Sequence, residues 1–176
     1  MLSNSGGYRA TRYGISHACW SAAPTLAVNY SGELVAEPCV IAPGEENIEL
    51  DFGTVIDKYL YLNQRTPGKE FVLQLMECDL SLGETVSVSF SGTESAALPG
   101  LLAINSGGAS GIAIGLENTA GELLPLNKLT GKQRLQAGSN RITLKAYVRG
   151  EPEAIKNNTI SRGVFSAVAT FLLHYD

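Results

Sequence analysis

The sequence predicts an all-β domain, and three observations support this prediction. Nineteen glycines are distributed among segments in which apolar and polar residues alternate, which is typical of short strands joined by tight turns. Hydrophobic residues make up 44% of the 176 residues and charged residues only 17%, so the chain can form a substantial core. No long segment repeats its apolar residues at helical spacing. Together these features favour a β-sandwich or a barrel.

The alternation begins at Thr25, where Leu26, Val28 and Tyr30 share one side of a strand-like segment, in phase with Gly32. The chain continues extended over residues 34–41, where Pro38 suggests an edge position. Six main strands are then predicted in the body of the domain, at 47–52, 71–78, 85–90, 112–116, 140–149 and 163–176. Residues 54–69 and 151–162 are predicted to be irregular, and 118–139 rich in turns.

The last strand, 163–176, is the element around which the other strands are expected to be arranged. One of its faces is wholly apolar or aromatic and consists of Phe165, Ala167, Ala169, Phe171, Leu173 and Tyr175. A core strand at this position raises the question of what pairs with its outer edge, because proteins usually protect such edges.

Strand number and turn density suit an immunoglobulin-like sandwich, which ordinarily has seven strands. Only six are predicted in the body, whereas one additional alternating segment, Thr25–Gly32, precedes them. By this count one strand is missing at the end of the chain, and one is spare at its beginning.

Charge and motif content argue against several functions. The net charge is −4 without a Lys/Arg cluster, which argues against nucleic acid or an anionic membrane surface as a partner. His17 and His174 do not lie at metal-ligand spacing, and no Gly-x-Ser-x-Gly motif is present. We therefore expect neither an enzyme nor a cofactor.

The three cysteines favour one internal disulfide. Cys39 and Cys78 lie in or beside predicted strands, whereas Cys19 lies in a polar, glycine-containing arm, so Cys39–Cys78 is the favoured pair and Cys19 is left free. Such a bridge implies an oxidising compartment. Three unrelated buried thiols in a cytosolic protein remain the alternative.

Residues 1–21 do not form a proper signal peptide, because no apolar run of seven residues follows Arg9 and Arg12. Ser21, Ala22 and Ala23 are small enough for a cleavage site. The arm could be a misplaced start, a processed remnant or a real extension.

Several segments resemble the pilin subunits of chaperone–usher fimbriae, and within that family the minor adaptor subunits of P-pilus tip fibrillae. The similarity covers about residues 24–176 and includes a glycine fourteen residues from the C-terminus, Gly163, and a penultimate tyrosine, Tyr175. The other matching segments are 32–39, 70–78, 90–100 and 151–154.

The resemblance implies an incomplete immunoglobulin-like sandwich that lacks its seventh strand and leaves a groove beside the final strand. A periplasmic chaperone would first lend a strand to this groove. At the outer-membrane usher, the N-terminal extension of the next subunit would replace that strand. Covering the groove would remove an apolar patch and an open edge together. The protein would pass through the bacterial periplasm to a cell-surface pilus.

The same resemblance assigns roles along this chain. Residues 1–21 are the arm, 22–32 the donor extension and 33–176 the pilin domain. Cys39–Cys78 would tie the first strand to the second, and the chaperone's basic residues would anchor the carboxylate of Asp176. The donated face would be Leu26, Val28, Tyr30 and Gly32, and the groove-lining face would be Gly163, Phe165, Ala167, Ala169, Phe171, Leu173 and Tyr175.

The favoured hypothesis is thus a structural minor subunit of the adaptor type, with a role in cell adhesion. If residues 1–21 remain in the mature protein, a terminator or anchor subunit becomes more plausible. A self-sufficient extracellular sandwich that binds carbohydrate is the less favoured alternative, because Trp20, the only tryptophan, lies outside the body of the domain.

Overall fold

The computed structural model describes residues 25–44 and 48–176, and the chain divides into two units, Met1–Leu34 and Val35–Asp176. In the described part of the first unit, residues 25–34, no helix or strand forms, and Leu26 and Tyr30 are 89% and 91% exposed. The strand predicted over Thr25–Gly32 is therefore not formed, since a strand needs a hydrogen-bonded neighbour. Cys19 and the arm at 1–21 lie outside the described residues.

The described part of the second unit consists of short strands and two short helices. In chain order they are β1 (Val40–Ile41), α1 (Asp57–Asn63), β2 (Lys69–Cys78), β3 (Thr85–Ser91), β4 (Leu102–Ala103), β5 (Asn105–Gly107), β6 (Ile112–Asn118), β7 (Gln133–Arg134), β8 (Gly138–Gly150), α2 (Pro152–Lys156), β9 (Val164–Ser166) and β10 (Thr170–Tyr175). Neither helix has the length or the apolar composition needed to cross a membrane.

Two antiparallel sheets enclose the core. The larger sheet has the order β1-β2-β8-β6-β4, and the smaller has the order β10-β3-β7. A third pair, β5-β9, adds a short two-stranded ribbon. The strands β3 and β8 alternate as expected for their predicted ranges, and their core-facing residues are Val86, Val88 and Phe90 on one strand and Ile142, Leu144, Ala146 and Val148 on the other. The fold is the predicted all-β sandwich.

A β-bulge changes the inward face of β2 near its end. Leu73 and Leu75 share a face and are buried, but the ladder to β8 is irregular between Leu75 and Cys78, and Glu77 has a positive φ of 52°. Because the bulge inserts an extra residue, Cys78 turns into the core although simple alternation places it on the opposite face from Leu75.

The segments predicted to be irregular contain both helices. In α1, the buried side chain of Leu60 packs with Ala109, Ile112 and Val148, which are distant in sequence. In α2, a proline occupies the first turn, where a missing N–H costs no hydrogen bond. Conversely, the strand predicted over 47–52 is wrong in the described residues 48–52, because a turn in which Gly53 donates to the Asp51 carboxylate (2.7 Å) ends the segment.

The predicted final strand is divided in two. β9 pairs with β5 and β10 pairs with β3, while residues 167–169 between them belong to no strand. The division follows from the partners, since the two halves of the segment are hydrogen-bonded in different sheets. The prediction of one continuous strand over 163–176 is therefore wrong in this detail.

Candidate strand-acceptor groove

The strand β10 lies at the edge of its sheet, with β3 as its only partner among the described residues. Asp176 and Thr85, just beyond β10, exchange both main-chain hydrogen bonds, at 3.1 and 3.0 Å. In an antiparallel ladder such pairs alternate with pairs whose main-chain groups point away from each other. The N–H and C=O groups of Phe171, Leu173 and Tyr175 therefore point to the open edge.

The inward side chains of β10 are only partly buried. Phe171, Leu173 and Tyr175 pack against the core, yet their direct partners on β3, Phe90, Val88 and Val86, are fully buried. A side chain that touches the core on one side but remains partly accessible lacks a neighbour on its other side. This is the burial pattern of a sandwich from which one strand is absent.

Across from β10, the uncovered region is bounded by the first part of the domain, which we call the first wall. Ile41, Leu50 and Phe52 are likewise partly buried against the same core. We call the region between this wall and β9–β10 the strand-acceptor groove. Sequence reasoning found the alternation of Leu50 and Phe52 but assigned them to an ordinary strand, and it missed their place in this wall.

The two walls approach each other at both ends of the strand-acceptor groove. At one end the rings of Phe52 and Phe165 lie 6.4 Å apart. At the other end Gly83 fits between Pro38 and the C-terminus, since a Cβ built on it would lie 2.8 Å from Pro38 Cγ and 3.6 Å from Tyr175 Cβ. The first wall therefore runs antiparallel to β9–β10.

The helix α1 is attached to the start of β9. Arg162 donates to the Asp57 carboxylate (2.8 Å), and this hydrogen bond holds the pKa of Asp57 below its usual value. The main-chain N–H of Ile160 donates to the hydroxyl of Tyr61 (3.1 Å). These contacts fix α1 beside the Phe52–Phe165 end of the groove.

At the Pro38 end, the side chain of Asp176 is exposed and pairs with Lys132, which lowers the pKa of the carboxyl. The neighbouring Tyr175 hydroxyl is buried and, among the described residues, has no hydrogen-bond partner. Desolvation raises its pKa, and the negative charge of Glu37 adds to the effect. The expected anchoring carboxylate thus lies at the surface, beside the end of the groove.

Gly163 has a packing role at the start of β9. Its φ of 155° and its close approach to the neighbouring strand leave no room for a side chain, because a Cβ would lie 2.6 Å from both the Ala109 nitrogen and the Gly108 carbonyl carbon. Those atoms belong to the main chain and cannot move independently.

We expect Gly163→Ala to lower the free energy of unfolding by about 2 kcal/mol, because the added methyl group forces the β5–β9 ribbon apart. Urea unfolding of the full-length chain measures this loss. Gly121→Ala is the control, since Gly121 also has a positive φ (83°) but faces open space and should lose only about 1 kcal/mol. Equal losses in the two variants would contradict the packing role.

Cys39 and Cys78 form a disulfide with a Cα–Cα distance of 4.1 Å. Both cysteines are buried in the main core cluster. The bridge fixes the start of the first wall to the end of β2, close to Pro38, whose carbonyl accepts a hydrogen bond from Asp79 (2.8 Å).

The residues assigned to the donated face belong to no sheet. Leu26, Val28 and Tyr30 are exposed, and a Cβ built on Gly32 would meet no atom within 4 Å. In the described part of the chain, no cluster of three or more histidine, cysteine or acidic side chains could hold a metal ion. The interactions that the groove and the exposed segment can make are main-chain hydrogen bonds and the burial of apolar side chains.

Comparison with known proteins agrees with this geometry. The model of the fimbrial protein family matches residues 28–176. The chain is 33% identical over 148 residues to the Fimbria A protein of Serratia marcescens, covering 84% of this chain and 83% of that protein. It is 32% identical over 167 residues to the fimbrial adapter PapK of Escherichia coli, covering 90% and 93%. The solved P pilus rod subunit PapA is 24% identical, with a TM-score of 0.69 over 80% of this chain and all of that one.

The described residues form an all-β sandwich with an uncovered edge, which is the fold of a subunit that lacks its seventh strand. The chain belongs to the fimbrial protein family and is a pilus subunit of the chaperone–usher type. It is a structural subunit rather than an enzyme, it assembles with neighbouring pilins, and it belongs to a cell-surface pilus.

Proposed function

We propose that this chain is a minor subunit of the adaptor type, which accepts a strand in its groove and donates its own extension to a neighbour. The main support is the open edge of β10, where no strand of the described residues lies beside the main-chain groups of Phe171, Leu173 and Tyr175. A strand added at this edge would fill their hydrogen bonds and cover the partly buried side chains of the same residues.

In this proposal a periplasmic chaperone supplies the first strand and the outer-membrane usher is the place of its exchange. Asp176 lies at the end of β10, where it would be the anchoring group for basic chaperone residues. The donated segment would be Leu26, Val28, Tyr30 and Gly32, whose apolar side chains are exposed in the free chain. Its alternation matches a groove that receives every second side chain.

The adaptor role rests on resemblance. The 32% identity to the fimbrial adapter PapK extends over most of both chains, and a further relative, 29% identical, is named a putative minor fimbrial subunit in Proteus mirabilis. In such a role the chain would both receive and donate a strand, whereas a terminator would refuse the exchange.

Amide hydrogen exchange tests the groove. In the full-length chain alone, the amides of Leu172 and His174 should exchange slowly because they bond to β3, while those of Leu173 and Tyr175 should exchange quickly. Co-purification with the chaperone of the same pilus should slow the second pair by at least about tenfold. Slow exchange of Leu173 and Tyr175 in the free chain would contradict an open groove.

Adding the extension peptide of another subunit of the same pilus to the chaperone-bound chain separates the two roles. For an adaptor, we expect the peptide to release the chaperone while the amides of Leu173 and Tyr175 continue to exchange slowly, because the peptide takes the place of the chaperone strand. Persistence of the chaperone complex would instead favour a terminator.

A further inference from the structure

The turn that follows β2 is held rigidly beside the point where the extension joins the domain. The main-chain N–H of Asp79 donates to Pro38 (2.8 Å), and that of Leu82 donates to Asp79 (3.1 Å). The carboxylate of Asp79 accepts from both the main chain (2.9 Å) and the hydroxyl (2.6 Å) of Ser81, and these bonds lower its pKa. The disulfide at Cys78 anchors the same turn.

This rigid turn displays apolar side chains to solvent. Leu80 and Leu82 are 37% and 50% exposed. Val40 and Met76, which are opposite each other in the β1–β2 ladder, are also exposed near the beginning of the turn. Scattered apolar residues are normal at a surface, but leucines fixed on a turn are suited to contact with a partner.

A second apolar surface lies at the other end of the domain. Ile56 at the N-cap of α1 and Tyr59 and Leu62 within the helix are spaced three residues apart, and all three are exposed. The opposite side of the helix is held by the buried Leu60 and by the contacts of Asp57 and Tyr61 with the segment before β9. We call Ile56, Tyr59 and Leu62 the exposed helix face.

The direction of the donated strand decides which surfaces meet. In a complete immunoglobulin-like sandwich the seventh strand runs antiparallel to the sixth. A donated segment that pairs with β10 in this way enters beside Tyr175 and leaves beside β9, where α1 packs. In the donating subunit, the six residue steps from Gly32 to Pro38 span at most about 20 Å. The body of the donating subunit must therefore lie against the end of the accepting subunit at which β9 and α1 lie.

We propose that Leu80 and Leu82 of this chain pack on the neighbouring pilin subunit that receives its extension, against an apolar counterpart of the exposed helix face. The inference rests on the proposed strand donation and adds a second contact between the same two subunits. Such a contact is heterologous, joining different surfaces of successive subunits, and therefore continues along a fibre rather than closing it. It fixes the angle between subunits that the extension alone would leave free.

Site-specific photo-crosslinking in bacteria that assemble this pilus tests the contact. A benzophenone amino acid is placed singly at Val28, at Leu82 or at Leu129 of the full-length chain. Leu129 is the control, because it is 59% exposed but forms a β-bridge with Ser89 at the edge of β3 that faces away from β10. The crosslinker at Leu82 should capture the same fimbrial subunit as the crosslinker at Val28. The yield of this crosslinked product should be at least about fivefold higher than with the crosslinker at Leu129. The captured peptide should lie between the partner's first and second strands, where α1 lies in this chain.

Capture of a pilin at Val28 without an excess at Leu82 over Leu129 would overturn the second contact and leave strand donation intact. Absence of capture at Val28 would overturn the proposed donation, and the second contact with it. Leu80→Ser in the chain carrying the crosslinker at Leu82 should reduce capture by at least about twofold, whereas Leu129→Ser should leave it unchanged. An unchanged yield with Leu80→Ser would also contradict the proposed packing.

Discussion

Replacing Cys39 and Cys78 by alanine is expected to lower the free energy of unfolding by about 4 kcal/mol, the largest effect of any change considered. The bridge closes a segment with a sequence separation of 39, and a loop of this size restricts the unfolded chain by about that amount in the chain-entropy model. Alanine is preferable to serine because both positions are buried, and a buried hydroxyl without a partner would add its own cost.

The measurement is urea unfolding of the full-length chain with Cys19→Ala in every sample, so that only the bridge changes. The oxidised protein carrying Cys19→Ala is compared with the same protein after reduction and with the double alanine variant. Reduction should reproduce most of the loss, since it opens the loop without removing side chains. A loss below about 1 kcal/mol in both would show that the bridge contributes little beyond the core that surrounds it.

Arg65→Met is expected to lower the free energy of unfolding by about 3 kcal/mol at pH 7. Arg65 donates two hydrogen bonds to the carboxylate of Glu117, at 2.7 and 2.8 Å, and its guanidinium carbon lies 3.6 Å from the ring centroid of Tyr147. The Glu117 side chain is only 5% exposed, so that removal of its partner leaves a buried charge unpaired. Arg65 itself is 34% exposed, which places the loss at the lower end of the range for buried pairs.

The effect of Arg65→Met should depend on pH. In the natural chain the hydrogen bonds from Arg65 lower the pKa of Glu117, so the pair stabilises the fold above the unfolded-state pKa and loses this contribution as the pH falls through the lower folded value. In the variant, burial raises the pKa of Glu117 more than the charge of Lys145 lowers it, and protonation then favours the folded state. The difference in stability should therefore shrink between pH 7 and pH 4.

Two further results decide the interpretation of Arg65→Met. The double variant Arg65→Met/Glu117→Gln should recover part of the loss at pH 7, because it leaves no buried charge. A stability difference that stays constant from pH 7 to pH 4 would exclude the unpaired carboxylate as its cause.

Local pattern was sufficient for the strands that have one face in the core and one outside it. The serines of β3 alternate with Val86, Val88 and Phe90, and β8 alternates in the same way, so side-chain chemistry indicates which face meets the main core, although Ser87 and Tyr147 on the opposite faces are also buried. The apolar face of the final segment was visible for the same reason. The family resemblance added what alternation cannot supply, namely the missing strand.

Features that depend on distant partners could not be predicted from local pattern. Alternation continues unbroken through residues 167–169, yet the chain changes there from one partner strand to another. The helix α1 forms where Leu60 meets residues some fifty or more positions away, and the bulge at Glu77 reverses the face expected for Cys78. The first wall of the groove was missed because Leu50 and Phe52 lie in a segment that pairs with no strand among the described residues.

The open edge of β10 has a mechanical consequence in the proposed assembly. A strand donated along this edge lies parallel to the line joining successive subunits, since it enters at one end of the domain and leaves at the other. Tension on the fibre would then act along the strand, and its main-chain hydrogen bonds would share the load together instead of breaking one after another from an end. Rupture under such loading is governed by the rate of unfolding rather than by equilibrium affinity.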